Sequence, residues 1–99
     1  MQPQSFNPVT SSERDPFIKE FTVYANPNAG KFTVHVLLSD ESNIRLRMFN
    51  INSNALVSDM QKSNGKDYRI PYDLVVAPGI YMMLLETPNG NRIYKVIIN

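Results

Sequence analysis

Apolar side chains recur at every second position, in short runs cut by turn residues, and this pattern leaves the chain little choice but β-strands. Between Lys31 and Leu38, Phe32, Val34, Val36 and Leu38 alternate with Thr33, His35 and Leu37, as a strand with one face on a core requires. Ile44, Leu46 and Met48 repeat the pattern against Arg45 and Arg47, and Tyr68, Ile70 and Tyr72 repeat it against Arg69 and Pro71. With Phe21 to Tyr24, the weaker run Ala55 to Gln61, Gly79 to Thr87 and Arg92 to Ile98, the pattern predicts seven strands. Pro71 lacks a donor, so its strand belongs at an edge or a bulge. The run Gly79 to Thr87 is apolar on both faces and should be central.

Residues suited to turns separate these runs. Pro88-Asn89-Gly90-Asn91 is a hairpin signal, and Asn64-Gly65 and Asn26-Pro27-Asn28-Ala29-Gly30 are similar. Short antiparallel strands in such number pack most economically as two facing sheets. The expected fold is therefore an all-β, immunoglobulin-like antiparallel sandwich, with a small barrel as the alternative. Met1 to Pro16 is rich in Gln, Pro, Ser and Asn and reads as a flexible linker before a domain at residues 17–99.

Composition excludes several classes of function. The 99 residues carry ten Lys plus Arg against nine Asp plus Glu, one His and no Cys. No thiolate nucleophile, disulfide or cysteine metal site is available. A net charge of +1 generates no field that would gather nucleic acid or an anionic membrane. The polar start, Met1-Gln2-Pro3-Gln4-Ser5, lacks the basic and apolar regions of a signal peptide, so the chain alone is not expected to be exported. The apolar stretch Ile80 to Leu85 is far below the ~20 residues that span a bilayer.

Catalysis finds little support. The single histidine, His35, falls in mid-strand, where a solvated outward position is expected. Asp40-Glu41-Ser42-Asn43 offers oxygen ligands but lacks the spacing and glycine of a calcium loop, and is expected to be a solvated connection. Arg45 and Arg47 share a strand face and could grip an anion, although outward polar residues are ordinary on such strands. Of the five tyrosines, most are expected inside rather than as an exposed sugar platform. No catalytic residue, metal or cofactor is expected.

Two segments carry a more specific signal. Phe21-Thr22-Val23-Tyr24-Ala25-Asn26-Pro27-Asn28-Ala29-Gly30-Lys31-Phe32 resembles the opening motif of the type A C-terminal sorting domain of the type IX secretion system, which usually reads Tyr-Pro-Asn-Pro, two variable residues, Gly and an aromatic. Leu74, Pro78-Gly79-Ile80-Tyr81, Asn89-Gly90 and Lys95 resemble its closing pattern, and Ile44 to Asn50 its middle strand. The likeness covers Phe17 to Asn99. Ala25 stands where the family has its first proline, and Tyr94-Lys95 where a pair of lysines is common.

The resemblance implies a cargo-borne address rather than an enzyme. It implies that an N-terminal cargo domain precedes this one, and that the cargo transits the periplasm before reaching the cell surface or medium of a Gram-negative bacterium. The partners implied are an outer-membrane β-barrel shuttle protein, the translocon and a sortase-like cysteine protease that cuts in the linker. The chain then reads as an excised domain with Met1 as an added start. The recognition residues implied or inferred are Asn26, Pro27, Gly30, Gly79, Tyr81, Gly90, Lys95, Val96, Ile97, Ile98 and Asn99. Physically, a last strand at an edge would admit a partner strand, with Ile93, Val96 and Ile98 setting register and Lys95 opposing self-pairing. Edge strands also leave a dimer open. Gly79 and Tyr81 have a structural reading as well, the glycine for a turn and the tyrosine as a corner tying a loop to the core. The competing function is a non-catalytic sandwich that binds carbohydrate or protein through Arg45, Arg47 or residues 40–43.

Overall fold

The computed structural model describes residues 16–99. The expected linker lies almost wholly outside them. Five antiparallel strands follow one another: β1 (Ile18–Tyr24), β2 (Lys31–Asn50), β3 (Leu56–Asp73), β4 (Gly79–Thr87) and β5 (Gly90–Ile98).

The all-β expectation holds, but seven runs become five strands. The runs at 31–38 and 44–48 are parts of the 20-residue β2, and those at 55–61, from Leu56 onward, and 68–72 are parts of the 18-residue β3. Residues 40–43, expected in a loop, are strand. The cause is local. No residue there reverses the chain, and Ser42 stays paired with Gly65 while register slips on either side. Asn64 takes a positive φ of 63°, so Asn64-Gly65 forms an irregularity inside β3 rather than a hairpin turn. The Tyr68 hydroxyl donates to Ser42 O at 2.7 Å and accepts from Gly65 N at 2.7 Å, fixing the bend.

Because of this bend, β2 serves two sets of neighbours. Its first half pairs with β1 on one side, Val23 opposite Val34, and with the end of β3 on the other, Ile70 opposite Val34. Its second half pairs with the start of β3, Met60 opposite Leu46, and with β4, Leu85 opposite Leu46. β4 lies between β2 and β5, central as its two apolar faces require. β3 pairs only with β2, so Pro71 sits in an edge strand. The antiparallel sheet curls until β1 meets β5. Phe21 packs edge-on to Tyr94 at 5.9 Å, and Arg92 Nη2 donates to Ile18 O at 3.3 Å.

One apolar cluster fills the concave side. Val34, Val36, Leu38, Leu46, Met48, Met83, Leu85 and Val96 are fully buried within it. Phe32 stacks on Tyr72 with ring centroids 4.9 Å apart. Tyr72 and Tyr81 are inside, Tyr68 and Tyr94 are half-buried, and Tyr24 is exposed.

The Tyr72 hydroxyl is enclosed without a hydrogen-bond partner of ordinary geometry. Burial pushes its pKa up to about 12, with the Ser58 side chain opposing the rise. Deleting that hydroxyl removes a polar atom that burial penalises, so Tyr72→Phe should stabilise the domain by about 1 kcal/mol in urea unfolding. A raised pKa means the unfolded chain ionises first. Stability should therefore fall as pH rises from the ordinary value of 10.0 towards about 12, and Tyr72→Phe should remove that part of the loss.

Candidate functional site: a clasp between the first turn and the last strand

The segment after β1 turns back under β5, and its sequence suits that path. Pro27 limits the backbone, and Gly30 adopts φ 112°, a conformation side chains resist, where an added Cβ would run into the Leu74 carbonyl. Leu74 N in turn donates to Gly30 O at 2.9 Å. Between these fixed points Asn28 is only 8% exposed. Its Nδ2 donates to Ala25 O at 2.8 Å and its Oδ1 accepts from Gly30 N at 2.8 Å, so the side chain holds the turn in shape.

The shaped turn then grips the last strand. Asn28 N donates to Ile97 O at 3.0 Å, and Asn28 O accepts from Asn99 N at 2.7 Å, forming a parallel bridge with Ile98. One step along, the Asn26 carboxamide acts in place of a peptide group. Its Nδ2 donates to Lys95 O at 2.9 Å, and its Oδ1 accepts from Ile97 N at 2.9 Å. The outward groups of β5 from Lys95 O to Asn99 N are thereby occupied.

This overturns the expected free edge. An incoming strand cannot pair with residues 95–99 while Asn26 and Asn28 hold them. A dimer through that stretch is closed off in the same way. The peptide groups along this edge need partners, and the turn supplies them from the same chain. The expected register set is also corrected: Val96 and Ile98 point into the core, whereas Ile93 is 60% exposed on the opposite face.

The residues proposed for recognition divide between places. Asn26, Pro27, Gly30, Ile97, Ile98 and Asn99 meet in the clasp, with Gly79 paired to Ile98 and Tyr81 to Val96 beside it. The Tyr81 hydroxyl donates to Ala77 O at 2.6 Å, tying the loop before β4 to the core. Gly90, with φ 145°, belongs to the β4–β5 hairpin at the other end of the strand, about 25 Å away by strand rise. The Lys95 side chain stands on the outward face. Asn28 was visible only as a turn residue. Its partners lie about 70 residues on, and nothing local announces them.

The other candidates are engaged elsewhere. His35 is 7% exposed, not solvated, because Glu20 and Asp67 close over it from neighbouring strands. Its Nδ1 lies 3.2 Å from Glu20 Oε2 and its Nε2 2.8 Å from Asp67 Oδ1, leaving neither ring nitrogen for a nucleophile. Arg45 donates through Nε and Nη2 to both oxygens of Asp59, at 3.0 and 2.8 Å, and Arg47 is held by Glu86 at 2.7 Å. Hydrogen bonding to Arg45 holds the Asp59 carboxyl below its usual range. Among the described residues no group of three or more His, Asp or Glu side chains is placed to hold a metal.

The architecture so far is that of a small all-β domain whose opening and closing segments are bonded to each other. Residues 22–99 match the family described as the secretion system C-terminal sorting domain, and the chain belongs to that family, the sorting domains of type IX secretion. No curated protein matches the chain significantly.

Asn26→Ala removes two exposed hydrogen bonds and should cost about 1 kcal/mol. Asn28→Ala leaves enclosed partners unpaired and should cost about 1–3 kcal/mol. Amide exchange read by NMR should show the Ile97 N–H exchanging faster in Asn26→Ala, while the Val34 and Leu46 amides slow or quicken only with global stability.

Proposed function

We propose that this domain directs an attached N-terminal cargo from the periplasm across the outer membrane through the type IX machinery, and that the machinery reads the clasped, folded domain. Membership of the family supports its role as a C-terminal secretion signal. The observation that carries the finer reading is the bonding of Asn26 and Asn28 to Lys95, Ile97 and Asn99. It joins the family-like opening and closing segments into one surface. Pro27, Gly30, Gly79, Tyr81 and Gly90 shape that domain, while the closed clasp of the first turn on β5 supplies the recognised surface.

The same reading assigns the chain no catalytic part. The shuttle barrel and the translocon receive the domain, and a sortase-like protease cuts before it, leaving the cargo at the surface or in the medium. The different neighbours of the two halves of β2 and β3 also support an immunoglobulin-like sandwich, one layer from β1 with the first half of β2 and the other from β4 and β5 with the second half.

Export of a folded reporter settles the point. A signal peptide precedes the reporter and these 99 residues follow it, in cells with a working type IX machinery. The intact fusion should reach the surface or medium. Removing Lys95 to Asn99 takes away the buried Val96 and Ile98, so Asn26→Ala is the cleaner companion. Folded by thermal melt, it should export about tenfold less, equivalent to ~1.4 kcal/mol of lost recognition. Retention of the intact, folded fusion in the periplasm would sink the sorting reading.

A further inference from the structure

The two outward faces of the curled sheet differ in character. Around His35 the surface is polar, formed by Glu20, Thr22, Thr33, Asp67 and Arg69. Across β2, β4 and β5 it is apolar. Phe49 is opposite Met82, Leu84 is opposite Ile93, and Ile80 is opposite Ile97, so these side chains share one face. Ile80 and Ile93 are exposed and the others are half-buried. Apolar side chains gathered on the solvent side of a sheet mark a surface that a partner covers.

Charge on this face narrows the partner. Arg47, directly opposite Leu84, and Arg45, opposite Glu86, share this face but are held by Glu86 and Asp59. Lys95 stands inside it, directly opposite Met82 and next to Ile93 and Ile97 along the outward row. It is exposed, and among the described residues no carboxylate lies within ion-pair distance of it. A surface that covers the isoleucines must therefore meet an ammonium, and the single group that best offsets its loss of water is a carboxylate. A second copy is a poor occupant, since a two-fold axis at the centre of the patch would bring two Lys95 ammonium groups together, and Glu86 on the same face is already held by Arg47. An anionic bilayer calls for a cluster of cations, and among the described residues of this face one is free.

We propose that the outward face of β4 and β5, centred on Lys95, is the surface by which this domain docks on a protein whose complementary surface is apolar and carries one carboxylate. The proposal rests on the sorting reading and adds to it a face distinct from the clasp. The Lys95 carbonyl belongs to the clasp through Asn26, whereas its side chain belongs to the docking face. Substituting the side chain therefore tests the face and spares the clasp.

The test uses the same exported fusion, with a photo-crosslinking amino acid at position 93 and, as a control on the polar outward face, at position 22. Lys95→Glu and Lys95→Arg are made beside it, each checked by thermal melt. The expected result is a crosslink from position 93, and not from 22, to one envelope protein. Lys95→Glu should lose that crosslink and export about tenfold less, while Lys95→Arg keeps export within about twofold. Changing the facing carboxylate of the crosslinked protein to lysine should restore export of Lys95→Glu. A crosslink between two fusion copies or to lipid, equal crosslinking from position 22, or unchanged export of Lys95→Glu overturns the docking face while the sorting reading stands. Failure of the unsubstituted fusion to export overturns the sorting reading, and the docking face with it.

Discussion

One constraint organises this domain: the inward side chains of β2 stay inward through a bend. Phe32, Val34, Val36 and Leu38 are buried before it, and Ile44, Leu46 and Met48 after it. A slip of one residue would turn every later side chain to the other face. The irregular pairing near Ser42 and Gly65 changes the direction of both strands without changing that parity. The same hairpin thus gives β1 a neighbour at one end and β4 a neighbour at the other. The sheet closes around a single core because its longest strand contributes to both ends.

How far this could be read from the sequence follows from the range of each interaction. Alternation is local, so every apolar run predicted as strand is strand, and Tyr81, Leu85 and Val96 are in the core. Pro71 also marks its edge correctly, because a missing donor is a property of one residue. The strand count fails at Asp40 to Asn43, whose polar composition suits a loop as well as a bent strand. His35 fails for a related reason: its cover comes from Glu20 and Asp67 on other strands. Of the candidate site, the residues of the opening and closing motifs were legible, but their bonding to each other was not. The free edge expected of a last strand that ends at the chain terminus is closed by Asn26 and Asn28.

The clasp also shows why short polar residues recur in the first turn. An asparagine side chain carries the donor and acceptor of a peptide group on a short tether. Asn28 spends its side chain on the turn and its backbone on β5, while Asn26 applies its side chain to β5 directly. At the opposite border of the sheet, β3 defends its edge by other means, with Pro71 and the charged Lys62, Lys66 and Arg69. Both borders are thus guarded against indiscriminate strand pairing, while the outward face of β4 and β5 keeps Ile80 and Ile93 exposed.

The sequence distance spanned by the clasp bears on the order of folding. Asn26 meets Lys95 and Ile97 across 69 and 71 residues. Contacts of such separation carry a large loop-closure cost until intervening structure brings the ends together. The β4–β5 hairpin and the β2–β3 hairpin, built from nearer neighbours, can form without it. The clasp is therefore a late event, completed only after the sheet has curled and β5 has docked. Partly folded chains present the opening and closing segments separately. The finished surface exists only in the native chain, so a partner that bound there would tell completed domains from intermediates by conformation as much as by sequence.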